Sequence, residues 1–117
     1  MHELSIVMSL VKIIQQELEK HGAMKLFRAR VRYGVLANVM PEALTMAFTA
    51  TVSGTSLEGA VLELEVVPLV VVCSKCEEEF APEHPELLFM PCPACGDAFG
   101  HRVLSGKELY LDYLEAE

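Results

Sequence analysis

The chain has 117 residues, 52% of them hydrophobic, and a net charge of −8, enough for one core and a small appendage. No uninterrupted apolar run approaches the roughly 18 residues of a membrane span, and no basic stretch leads into an apolar one as in a secretory leader, so a cytoplasmic location is expected. The charge is lopsided: residues 1–72 hold six Lys/Arg against seven Asp/Glu, and residues 73–117 hold three against ten, which argues against a phosphate backbone as partner.

In chain order, MHELS leads into a stripe of Leu4, Val7, Met8, Val11, Ile14 and Leu18, the three-and-four spacing of an amphipathic helix. Glu3 sits at its positive end, and Gly22 supplies a stop. In LFRARVRYG, Phe27, Ala29, Val31 and Tyr33 alternate with Arg28, Arg30 and Arg32, the period-two pattern of a strand with one wet face. Glu63 and Glu65 lie on the wet face of a second predicted strand, Ala60–Val67. The arginines are therefore expected to form cross-strand ion pairs, each worth about 0.2–1 kcal/mol. Pro41 suits the first turn of a second helix, with Leu44, Ala47, Phe48 and Thr51 as its apolar side and Gly54 near its end. Pro68 interrupts the second strand. A closing strand, Glu108–Glu115, carries Leu109, Leu111 and Tyr113 on one side. It is too short to stand alone and is expected to return to the first sheet.

The predicted fold class is α+β: a small mixed sheet of about three strands with two helices, plus an inserted zinc-ribbon-like module. The first domain is then discontinuous, residues 1–70 with 103–117, and the insertion covers 71–102.

All four cysteines fall in the insertion: Cys73, Cys76, Cys92 and Cys95, spaced C-x2-C-x15-C-x2-C. Two residues between cysteines let a tight turn aim both thiolates at one ion, and two such knuckles close a tetrahedron. The spacing favours zinc. Two disulfides need an oxidising compartment, a redox dithiol needs only one CxxC, and an iron tetrathiolate uses the same ligands. With four protein ligands the site is closed, hence structural. At the other end, the Met1 amine, a backbone amide and the His2 imidazole can chelate one ion in a nitrogen-rich, tetragonal geometry that suits Ni(II) or Cu(II). Taken alone, the same residues also read as a polar pair ahead of a helix. His84 and His101, in or just after the cysteine module, offer imidazoles that could support a metal, with exposed loop histidines as the preferred reading.

MHELS, NVMPEALTMAF, GTSLEGAVLELEVVP, the CSKC/CPACG pair and LSGKEL follow one another along the chain. In this order they resemble the HypA/HybF family of nickel metallochaperones over essentially the whole length. The resemblance implies delivery of nickel for maturation of [NiFe]-hydrogenase and, in some members, urease. It implies a nickel-binding domain and a structural zinc domain, with a HypB-type GTPase and the hydrogenase large subunit as partners. Carried over by position, His2 is the principal nickel ligand with the Met1 amine, and Glu3 supports or orients the site. Cys73, Cys76, Cys92 and Cys95 hold zinc. Val35 stands where many members carry Glu after the glycine.

An enzyme is not expected. Gly106-Lys107 is followed by Glu108, so there is no phosphate-binding loop, and every cysteine is committed. A rubredoxin-like electron carrier and a zinc-ribbon adaptor remain the competing classes.

Overall fold

A computed structural model of the chain describes residues 3–85 and 89–117. It divides into two compact units. One comprises the chain up to Arg32, Asn38–Glu65 and Tyr110–Glu117; the other comprises Tyr33–Ala37 and Val66–Leu109.

The first unit is built on two helices, α1 (Glu3–Lys20) and α2 (Pro41–Val52), and a sheet of β1 (Leu26–Gly34), β2 (Val61–Val67) and β6 (Leu109–Ala116). The sheet order is β2-β1-β6. Lys25 exchanges backbone bonds with Glu117 at one end, and Gly34 donates to Glu108 at the other, so β1 and β6 run antiparallel. The closing strand thus returns to the first sheet, as its sequence implied. Helix α1 buries Ile6, Val7, Leu10, Ile14 and Leu18. Two members of the predicted stripe are displaced: Leu4 is 55% and Met8 60% exposed. At about 100° per residue they fall well to one side of the arc centred on Val7, Leu10, Ile14 and Leu18. The helix stops in a Schellman turn, with Ala23 donating to Leu18 and Gly22 to Glu19. Helix α2 buries Leu44, Phe48 and Val52. No charged side chain among the described residues is buried.

The arginine row is paired, as the strand patterns predicted. Glu63 accepts from Arg28 at 2.9 Å and from Arg30 at 3.2 Å, Glu65 meets Arg32 at 3.2 Å, and Asp112 approaches Arg30 at 3.9 Å. Arg30 also lies over the Tyr113 ring, 5.3 Å from its centroid. Tyr113 does not share the inward side with Leu109 and Leu111. Alternation slips by one along β6, so Leu114 turns inward and Tyr113 is exposed.

The second unit holds β3 (Val70–Val72), β4 (Glu79–Phe80) and β5 (Arg102–Ser105) in the order β4-β3-β5, both pairs antiparallel. Strands of three, two and four residues are too short to show a period, which is why the sequence does not announce them. Leu69, Val71, Val72, Cys73, Cys92 and Ala98 form its buried apolar set. The segment around Gly34 is stitched into this unit by its backbone. Gly34 donates to Glu108 at 2.7 Å, Val35 to Val67 at 3.2 Å and Leu36 to Gly106 at 2.7 Å. What Val35 contributes here is main chain, independent of its side chain.

A Cβ on Gly34 would overlap the Gly106 carbonyl. Both sides of that contact are backbone and cannot swing away. Gly34→Ala is expected to destabilise the protein by about 1–3 kcal/mol, read as a lowered urea midpoint with an unchanged slope.

Candidate metal centre

Each CxxC forms the same turn. Cys73 donates its N–H to Glu78 and accepts from Glu77; Cys92 donates to Asp97 and accepts from Gly96. The turn needs a left-handed residue directly after its second cysteine. Gly96 provides it at φ +81, and Glu77 occupies the equivalent position at φ +64. Within the knuckles, amides point at sulfur. Lys75 and Cys76 donate to Cys73 Sγ at 3.4 and 3.5 Å, and Ala94 donates to Cys92 Sγ at 3.4 Å.

Folding the module brings the two knuckles face to face. Cys73 Sγ lies 3.5 Å from Cys95 Sγ, Cys76 Sγ lies 3.5 Å from Cys92 Sγ, and all four sulfurs lie within 4.8 Å of one another. Four thiolates at ~2.3 Å from one Zn(II) would be separated by roughly 3.8 Å, so the cluster fits a structural zinc site. Cys73 and Cys92 are buried while Cys76 and Cys95 are exposed.

The protonation pattern shows what such a cluster requires. The Cys76 and Lys75 amides, against the opposing effect of burial, hold the Cys73 thiol down at about 6. At Cys76 the Glu78 amide pulls downward, but contact with the Cys92 sulfur and removal from water outweigh it, and that thiol is pushed up to about 12. Cys95 is also raised: the Asp97 amide is outweighed by the Cys73 sulfur and desolvation. Cys73 ionises readily, while Cys76 and Cys95 resist. A divalent cation lets all four ionise together.

The other predicted site is set differently. Met1 and His2 lie outside the described residues. Glu3 opens α1, and its Oε2 accepts the Met40 N–H at 3.2 Å. Met40 is the N-cap of α2 and makes no side-chain cap bond. Glu3 therefore does from a neighbouring helix what the glutamate of a capping box does from within one. Sequence periodicity cannot show this, because the partners are 37 positions apart. His84 is exposed, as expected. His101 is not: it is half-buried, and both ring nitrogens are engaged with backbone. The sequence signal for Glu77 was available, since it occupies the same place after CSKC that Gly96 occupies after CPAC.

Fold and site together define an α+β protein that carries a zinc-ribbon-like module with four clustered thiols. The family described as "Hydrogenase/urease nickel incorporation, metallochaperone, hypA" matches residues 1–116. The hydrogenase maturation factor HypA of Solidesulfovibrio magneticus is 49% identical over 117 residues, covering 100% of both chains. That of Lawsonia intracellularis is 44% identical over 118 residues, again covering 100% of both. The solution structure of the Ni metallochaperone HypA from Helicobacter pylori shares the fold, with a TM-score of 0.68 at 24% identity over 99% of this chain and 97% of that one. The chain belongs to the HypA family, the nickel metallochaperones of hydrogenase maturation.

Two outcomes are expected of the knuckles. Nothing lies within 4 Å of a Cβ placed on Gly96, so the cost of Gly96→Ala is conformational alone, about 1 kcal/mol or more. It should appear as a lower melting temperature of the zinc-loaded protein. Protons compete with metal for the thiolates. Zinc retention against a chelating dye should therefore fall as pH drops, first by protonation of the most basic sulfurs; a flat profile between neutrality and pH 5 would contradict the thiolate assignment.

Proposed function

We propose that the chain carries Ni(II) at its N-terminus, through the Met1 amine, His2 and Glu3, and passes it to the [NiFe]-hydrogenase large subunit with a HypB-type GTPase as co-worker. Nickel binding belongs to the unit that carries α1, α2 and the β2-β1-β6 sheet. The unit of Tyr33–Ala37 and Val66–Leu109 holds Zn(II) through Cys73, Cys76, Cys92 and Cys95 and fixes its own shape. The protein works in the cytoplasm and catalyses no reaction itself. Among the described residues no helix is long and apolar enough to cross a membrane, and the family match over residues 1–116 supports the transport role.

The observation that carries the nickel assignment is the seat of Glu3. Its carboxylate is anchored on the Met40 amide at the first turn of α1, adjacent in sequence to an imidazole and an amine. Such a donor set is proton-sensitive, so it can release its cargo. A closed tetrathiolate suits the opposite task. Transfer proceeds by ligand exchange, with partner groups replacing the amine and imidazole one at a time.

Metal analysis of untagged protein after nickel addition, against a form with one extra N-terminal residue, tests this. Zinc should stay near one per chain in both, and nickel should drop only in the extended form. Equal nickel in both would remove the N-terminal assignment. Glu3→Gln separates the two jobs of Glu3. Its amide oxygen still accepts the Met40 N–H, so stability should change by less than about 1 kcal/mol, while nickel affinity falls. A rubredoxin-like carrier would instead be red as isolated, with the iron bleached on reduction.

A further inference from the structure

His101 lies outside both cysteine pairs, yet it touches both knuckles. Its Nδ1 accepts the N–H of Ser74, the residue after Cys73, at 3.2 Å. Its Nε2 faces two carbonyl oxygens, Met90 at 2.8 Å and Asp97 at 2.9 Å. Those two residues bracket the second knuckle, two positions before Cys92 and two after Cys95. A carbonyl can only accept, so Nε2 carries the hydrogen and Nδ1 the lone pair. One neutral tautomer satisfies every partner. The ring is held edge-on by Phe80, with centroids 5.3 Å apart at 84°. A second link runs parallel to it: Ser74 Oγ lies 3.1 Å from Asp97 Oδ2 and 3.1 Å from the Phe99 carbonyl.

The Cys73, Asp97 and His101 ligand atoms lie within 4.8 Å of one another, close enough to raise a different role, that of a fifth or substitute ligand. The hydrogen bonds argue against it. Both ring nitrogens are engaged with main-chain groups, and binding a metal would strip one of them from its partner. What the imidazole does instead is cross-link two turns that are otherwise joined through the Ser74–Asp97 contact and through the sulfurs and their ion.

We propose that His101 is a positioning residue for the metal centre: its imidazole locks the CSKC turn to the CPAC turn and so pre-sets the separation of the four sulfurs. The proposal rests on the assignment of those sulfurs to zinc. Groups that orient ligands without touching the metal commonly change affinity about 10–100-fold when removed.

The test uses the full chain loaded with zinc and challenged with excess chelating dye. His101→Phe keeps the ring against Phe80 and removes both hydrogen-bonding nitrogens. It should release zinc at least about tenfold faster than wild type. With Co(II) in place of zinc, its tetrahedral absorption bands should broaden. His101→Gln returns a donor toward Met90 and Asp97, and His101→Asn returns an acceptor toward Ser74; each should release zinc at a rate between wild type and His101→Phe. Wild-type release and an unchanged Co(II) spectrum in His101→Phe would overturn the proposal. So would Gln and Asn variants that release as fast as Phe, because hydrogen bonding would then not be what matters. Should His101→Phe fail to fold, the amide variants decide: faster release than wild type in both supports the lock, and the wild-type rate in both refutes it. Wild-type protein holding no zinc at all would overturn the zinc assignment itself, a separate and earlier failure.

Discussion

Four sulfur atoms, paired at 3.5 Å, impose the condition on which the cysteine unit depends. They cannot all be negative without a cation among them, and they cannot separate without undoing the knuckles. The unit has little else to hold it. Its strands are three, two and four residues long, and its buried apolar set is small. A core of that size rarely sustains a fold without a staple. The metal free energy is then folding free energy for this part of the chain. The rest of the unit reads as preparation for it: amides aimed at Cys73 and Cys92, left-handed residues at Glu77 and Gly96, and an imidazole between the turns.

The helix-and-sheet unit obeys an ordinary rule, burial of one face. Val7, Leu10, Ile14 and Leu18 of α1 and Leu44, Phe48 and Val52 of α2 are covered. The wet face of the sheet neutralises itself by charge, three arginines against Glu63, Glu65 and Asp112. These pairs are part-exposed, so each contributes modestly. Their larger effect is on register: a shift of β1 by one residue would put the arginines into the core.

The two metal roles call for opposite physics. A site that fixes shape is surrounded by protein, takes every ligand from the chain and excludes exchange. A site that hands over its ion must keep donors that a partner can displace and that protons can compete for. Glu3 has a structural anchor of its own, because its carboxylate caps α2 through the Met40 amide.

Much of this was legible in the residues. Period-two alternation over Phe27–Tyr33, the three-and-four spacing along α1, Pro41 at a helix start and the C-x2-C spacing each encode a local geometry, and local geometry is what a linear pattern can carry. The ordered motifs carried the family. What the pattern misjudged were faces and partners. Leu4 and Met8 fit the spacing but not the arc that is covered, and Tyr113 lost its inward place to Leu114 when alternation slipped. His101 reads in sequence as a loop histidine and in space as a bridge between Ser74, Met90 and Asp97. The sequence by itself determined the two helices, the three strands of the first sheet and the number and spacing of the sulfurs, because those follow from spacing along one segment. Only the tertiary structure decided which amide Glu3 holds, how the knuckles face each other and what His101 joins, because each pairs groups whose separation along the chain says nothing about their distance.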